Sequence, residues 1–288
     1  MIKRTKSILK SIIKGHQLID IEFPVEMKPR YADSDSLNFD HSKTHSRLYE
    51  IVNANRPTYL NFLHDILSYS ENLHAITQTQ DATAPHWNNG FLPGLDIIGI
   101  YAIIAKYKPS KYLEVGSGNS TKVAFKAKSE KSPGTEIISV DPYPRAEIDA
   151  ISDRVIRKRF EDIEEDLISD LQSGDVLFID NSHVILPNSD AMVFFMETLP
   201  QVKPGVIIHI HDIYLPYDYP QYMCDRAYNE QYGLAFYLLA APEKFDILMP
   251  NFFVSKDKEL SSILQPFWNH PNLNNVEKHG GSFWFRKK

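Results

Sequence analysis

Two periodicities divide the chain. Between Ser46 and Leu73, apolar residues such as Leu48, Ile51, Val52, Tyr59, Phe62, Leu63 and Ile66 recur at three- and four-residue intervals with a break near Pro57, which predicts two helices. A strongly apolar segment, 94–107, predicts a third. Beyond it, short apolar runs at 111–115, 136–140, 154–159, 175–179, 205–210, 245–249 and 282–286 predict strands, and the segments 120–128, 161–171, 190–199 and 229–240 have helical spacing. Continuous apolar strands joined by helices imply a mostly parallel sheet covered on both faces. The last two strands lack a convincing helix at the usual point, so antiparallel pairing is open there. The expected organisation is an N-terminal helical extension over 1–90 and an α/β domain over 91–288.

The first residues follow a different pattern. Lys3, Arg4, Lys6, Lys10 and Lys14 fall on one side of a helix and Ile2, Ile8, Leu9, Ile12 and Ile13 on the other. A terminal helix packed on its own chain or on a twin subunit is the first reading, which makes a homo-oligomer possible. Peripheral contact of residues 1–16 with an anionic membrane is the alternative. The pattern lacks the unbroken apolar core and cleavage site of a signal peptide. From 19 to 43 the sequence is polar and irregular and reads as a connecting arm.

Composition narrows the function classes. A chain of 288 residues with 43% hydrophobic content can bury one full α/β core with an annex, and a net charge of −6 supplies no basic field for a polyanion, which argues against nucleic acid as a partner. The single cysteine, Cys224, allows neither an internal disulfide nor a CxxC site and fits a reducing compartment, so the cytoplasm is expected. No apolar run is long enough to span a membrane.

In an open α/β sheet, ligands gather at the carboxyl ends of the strands. After the first strand, Gly116 and Gly118 allow a tight turn that opens a helix near Ser120, where backbone can approach a ligand closely. Thr121 stands where a dinucleotide fingerprint has its third glycine, which disfavours a pyrophosphate cofactor. Asp141, closing the second strand, suits the two hydroxyls of a ribose, and Glu114 suits a cationic amine or sulfonium. Each acid alone reads as an ordinary turn or cap residue; together with the glycine turn they point to a nucleoside that carries positive charge.

These residues, Glu114 to Thr121 with Asp141 and the strand ending Phe178-Ile179-Asp180, resemble the cofactor motifs of class I S-adenosylmethionine-dependent methyltransferases. The Glu-Val-Gly-Ser-Gly-Asn-Ser-Thr form, with His-Asp-Ile at 211–213 and Gly-Gly-Ser-Phe-Trp at 280–284, is most similar to a bacterial branch of that family. The resemblance implies a Rossmann-like seven-stranded sheet with its last strand antiparallel, and S-adenosyl-L-methionine as cofactor. It implies a binding set of Glu114, Gly116, Ser117, Gly118, Ser120, Thr121 and Asp141, with Phe160 or Glu161 bordering the adenine.

Asp180, His211 and Asp212 fall at the ends of the fourth and fifth strands, which should be neighbours. Two carboxylates and an imidazole could hold Mg²⁺, Mn²⁺ or a softer metal, which would activate an acceptor hydroxyl. Catechol-type O-methyltransferases and the cephalosporin hydroxylase group resemble the chain here, although His211 replaces an aspartate of the catechol type. The alternative is three polar loop residues that bind no ion. His183 occupies the place of the catechol type's general-base lysine and could accept a proton at neutral pH, or simply bond a backbone carbonyl. His209, inside its strand, reads as structural.

The segment from Tyr214 to Tyr232 is crowded with tyrosines and could wall a substrate pocket, with Asn229-Glu230-Gln231 capping the next helix and facing the same space. The leading expectation is methyl transfer to a small hydroxylated acceptor, a sugar or glycoside in preference to a phenol. A metal-dependent hydroxylase on the same fold and a nucleoside-binding, membrane-adjacent assembly protein are the alternatives.

Overall fold

The computed structural model describes residues 26–31, 44–78 and 81–288; the amphipathic stretch 1–16 and most of the arm lie outside the described residues. Three helices come first: α1 (Ser46–Ala54), α2 (Arg56–Leu67) and the short α3 (Ser70–His74). Pro57 sits in the first turn of α2, where its missing N–H leaves no helical bond unmade, so it starts a helix where the sequence pattern breaks. The Tyr59 hydroxyl donates to the Val52 carbonyl at 2.6 Å and holds the two helices at that angle. Next, α4 (Gly94–Tyr107) is buried from Gly94 to Ala105, which explains why its sequence is apolar all round.

The sheet is built from β1 (Lys111–Val115), β2 (Glu136–Val140), β3 (Arg154–Ile156), β4 (Val176–Ile179), β5 (Ile207–Ile210), β6 (Phe245–Pro250) and β7 (Phe283–Lys287). Its order is β3-β2-β1-β4-β5-β7-β6, and β7 runs antiparallel to both β5 and β6 while the remaining neighbours are parallel. Between them run α5 (Asn119–Lys131), α6 (Glu165–Ser169) and α7 (Asp190–Val193), which continues through a π-helical turn (Phe194–Thr198) to Gln201. After β5 come α8 (Gln221–Cys224) and α9 (Glu230–Ala240), and after β6 come α10 (Asn251–Lys256), α11 (Lys258–Ile263) and α12 (Gln265–Trp268).

The antiparallel last strand and the order of the layers agree with the expectation, and three details differ. β3 stops at Ile156, because the run Arg157-Lys158-Arg159 offers nothing apolar to bury. The segment 161–171 holds only a 3₁₀ turn and five residues of α6. The connection from β6 to β7 carries three short helices rather than none; at four to six residues each they are too short to leave a readable period.

The early helices share the main core. α2 packs on β6, α11 and α4, and α1 packs on α9. One apolar cluster runs from Leu48 through Ile97 and Ile138 to Phe285. Each fully buried isoleucine of α4 contributes about 2 kcal/mol of transfer free energy, so the segment anchors the sheet's face.

Register decides what meets at the site. Val115 pairs with Ile179 and Ile179 with Ile210, which carries the next residues, Gly116, Asp180 and His211, to one edge of the sheet. The strand order reverses between β1 and β4, where a crevice opens at the carboxyl ends.

Candidate active site

Gly116 has φ 84°, and a Cβ there would stand 2.0 Å from the Asp180 carbonyl oxygen. Only glycine allows the loops after β1 and β4 to touch in this way. The turn is then held from behind. The Gly118 amide donates to Thr121 Oγ1 at 2.9 Å, and that hydroxyl donates to Glu114 Oε2. Glu114 is completely buried and its other oxygen, Oε1, has no partner among the described residues. Burial outweighs the bonds from Ser120 and Thr121 and, with the charges of Asp180 and Asp141, pushes its carboxyl up to about 8. Asp141 bridges to the same turn: Oδ2 accepts from the Ser117 amide at 3.2 Å and hydroxyl at 2.8 Å, and Oδ1 accepts from the Tyr143 amide at 2.8 Å. A side chain at Gly118 would meet nothing within 4 Å, so the space over the turn is open.

Gly116 and Ser117 line a cleft of about 1060 Å³, whose floor holds Asp180, His183, His211 and Asp212. The segment Trp87 to Gly94 and the side chains of Tyr214, Tyr222, Tyr228 and Phe252 also line it. Of the expected binding set, Glu114, Ser120 and Thr121 are buried behind the turn. Phe160 belongs to the core cluster, and Glu161 faces Arg159 at 3.6 Å; neither lines this cleft. The crowded tyrosines also divide: Tyr217 and Tyr219 pack into a second apolar cluster with Met223, while Tyr228 stacks on His183 with ring centroids 4.5 Å apart.

The floor is a chain of acids and imidazoles. His211 Nε2 faces Asp96 Oδ2 at 3.1 Å, and its Nδ1 stands 3.6 Å from Asp180 and 3.5 Å from Asp212. His183 Nδ1 is bonded to Glu230, and its Nε2 stands 3.7 Å from Asp180 Oδ1 and 3.6 Å from Asp212 Oδ2. Both His183 (φ 63°) and Asp212 (φ 54°) adopt left-handed backbone, an unusual conformation for side-chain-bearing residues that aims both at one space.

Two expectations change here. Asp180, His211 and Asp212 do converge, but as an ion-pair cluster: among the described residues, no group of three or more His, Cys, Asp or Glu side chains could hold a metal ion. Burial opposes charge on His211, yet Asp212, Asp180 and Asp96 together hold its proton well above the usual histidine range. Similarly, burial lowers His183, but the bond and charge of Glu230, followed by Asp180 and Asp212, raise it to about 9. The sequence leaves His183 open as a neutral-pH base or as a ring bonded to a backbone carbonyl; the partner found on Nδ1 is the Glu230 carboxylate. His209 is structural as read, with Nε2 2.8 Å from Ser282 Oγ and its ring stacked on Phe178 at 3.7 Å.

Asp96 was not visible as a site residue. Its only signal is one carboxylate inside a segment that is otherwise apolar from Leu95 to Ala105.

A parallel sheet with one antiparallel strand inserted as β5-β7-β6, and a glycine turn tied to an acid on the neighbouring strand, define the class I methyltransferase architecture. Residues 113–213, which contain both the turn and the His211-Asp212 end of β5, match the family described as a methyltransferase domain. An uncharacterized protein of Archaeoglobus fulgidus is 33% identical over 116 residues, which are 40% of this chain and 42% of that protein; the chain thus spans about two-fifths of the length of this curated relative. A solved structure of a methyltransferase candidate from Thermobifida fusca YX aligns with a TM-score of 0.43 and 13% identity over 85% of this chain and 95% of the other. Among the described residues, no helix is long and apolar enough to cross a membrane.

Proposed function

We propose that the chain is an S-adenosyl-L-methionine-dependent O-methyltransferase for a small hydroxylated acceptor. The observation that carries this is the glycine turn bonded to Asp141, whose Gly116 and Ser117 line the same cleft as His183, the ring that Glu230 binds from behind. Gly116, Ser117 and Gly118 would hold the methionine part of the cofactor. Asp141 would hold the ribose through Oδ1, which retains a lone pair beyond its bond from the Tyr143 amide, while Oδ2 already accepts from the Ser117 amide and hydroxyl. When bound, the cofactor supplies an electrophilic methyl group on a sulfonium.

The chain's own residues do the rest. His183 Nε2 faces the cleft and takes the acceptor's proton, while Glu230 holds the Nδ1 side of the ring and stabilises the imidazolium that forms. Aromatic side chains lining the cleft offer flat apolar faces to a sugar, glycoside or phenol, and the volume admits an acceptor beside a nucleoside. Catalysis then rests on alignment of the hydroxyl with the methyl group. The cytoplasm, read from the single cysteine, belongs to the same proposal.

Calorimetry with S-adenosylhomocysteine tests it. Uptake of one equivalent per chain, with competition by S-adenosylmethionine, is expected; folded protein that takes up neither would end the proposal.

A further inference from the structure

Asp96 has no task in the reaction as set out above, and its burial is complete. A carboxylate in such surroundings costs several kcal/mol unless its oxygens are bonded. They are. Oδ1 accepts from the Ser282 amide at 2.9 Å and Asn251 Nδ2 at 2.8 Å, and Oδ2 accepts from the Gly281 amide at 2.8 Å and His211 Nε2 at 3.1 Å. A Cβ at Gly280 would stand 2.2 Å from Asp96 Oδ1, so the carboxylate requires the first glycine of the Gly-Gly-Ser run. The Gly281 carbonyl in turn accepts from the Ile213 amide at 2.8 Å, one residue past the left-handed Asp212.

We propose that Asp96 is a positioning residue: by binding His211 Nε2 and the Gly281 amide on one oxygen, it turns His211 Nδ1 toward Asp180 and Asp212 and fixes the backbone that carries Asp212. An imidazole at a strand end can present either nitrogen to the cleft, and the bond to Asp96 removes that choice. The same two aspartates face His183 Nε2. Misplacing the Asp212 and His211 side chains therefore disturbs the atom that meets the acceptor, while the bonds of the glycine turn to Asp141 involve neither Asp96 nor His211. This inference rests on the proposed methyl transfer.

The test uses Asp96→Asn, His211→Asn and the double variant. Turnover is followed as S-adenosylhomocysteine formation with catechol or methyl glucoside, whichever the wild type accepts. Asp96→Asn should lower kcat by about 100-fold, the cost of a small misalignment. The S-adenosylhomocysteine Kd should move by less than about threefold, and adding Asp96→Asn to His211→Asn should bring little further loss. Equal losses of kcat in both backgrounds, or a loss confined to thermal stability, overturn the proposal. A second arm needs neither turnover nor a folded variant: ¹⁵N-histidine correlation spectra of the wild type should show His211 Nε2 carrying a proton, and a ring with bare Nε2 overturns it as well. Failure to bind S-adenosylhomocysteine in the wild type counts against the methyltransferase reading, whereas the spectra report on Asp96 alone.

Discussion

Glu230, at 1% exposure, is bonded to Nδ1 of His183, a ring whose other nitrogen looks into the cleft between two aspartates. A buried acid behind a histidine fixes the tautomer and decides when the ring can act as a base. His183 is held protonated up to about 9, so the form able to accept a proton increases as pH rises through that value. Acceptor turnover should climb toward pH 9. Removing the carboxylate with Glu230→Gln should bring the rising limb down toward an ordinary histidine, about pH 6.5, and lower the plateau. A pH profile that does not move would show that Glu230 does not set the base.

Substituting His183 by asparagine should reduce turnover by about 10² to 10⁴, the range for a lost general base. Binding of S-adenosylhomocysteine should persist, because the glycine turn lies on another strand. Single-turnover kinetics beside calorimetry separate the two effects.

The two glycines of the turn should fail differently. Gly116→Ala places a methyl against the Asp180 carbonyl at positive φ, and should lower stability by about 1 to 3 kcal/mol. Gly118→Ala meets open space, and should leave the melting temperature nearly unchanged while weakening S-adenosylhomocysteine binding. Thermal melts and calorimetry of the pair read both outcomes, and equal affinity in Gly118→Ala would remove the cofactor from this turn.

Asp141→Asn keeps the shape and removes the charge. Loss of charge-assisted bonds to ribose is worth about 1.5 to 3 kcal/mol, which is roughly 10- to 100-fold in S-adenosylhomocysteine Kd. The acceptor KM should stay within about twofold.

Asp96 makes the protein acid-sensitive in a defined window. Burial pushes its carboxyl up, but the bond and charge of His211 and the amides of Gly281 and Ser282 more than offset this and hold it at about 2. A folded-state value below the unfolded one means stability that is present above about pH 4 and lost as pH falls toward 2. The difference corresponds to about 2 kcal/mol. Urea titrations between pH 2.5 and 6 should show that much loss in the wild type and less in Asp96→Asn.

Sequence alone determined the sheet and the glycine turn after its first strand. Strands buried on both faces are continuous apolar runs, and the starts of β1 and β2 fell where those runs begin, at Lys111 and Glu136. A glycine turn and an acid at a strand end are local signals, each readable within a few residues, so Gly116, Ser117 and Asp141 were legible before any coordinates. Tertiary structure decided the rest. Asp96 lies 115 positions from His211 and Glu230 lies 47 from His183, and no local period links residues so far apart. Which carboxylates meet His211 and His183 depends on residues that arrive from α4 and α9 only when the chain has folded.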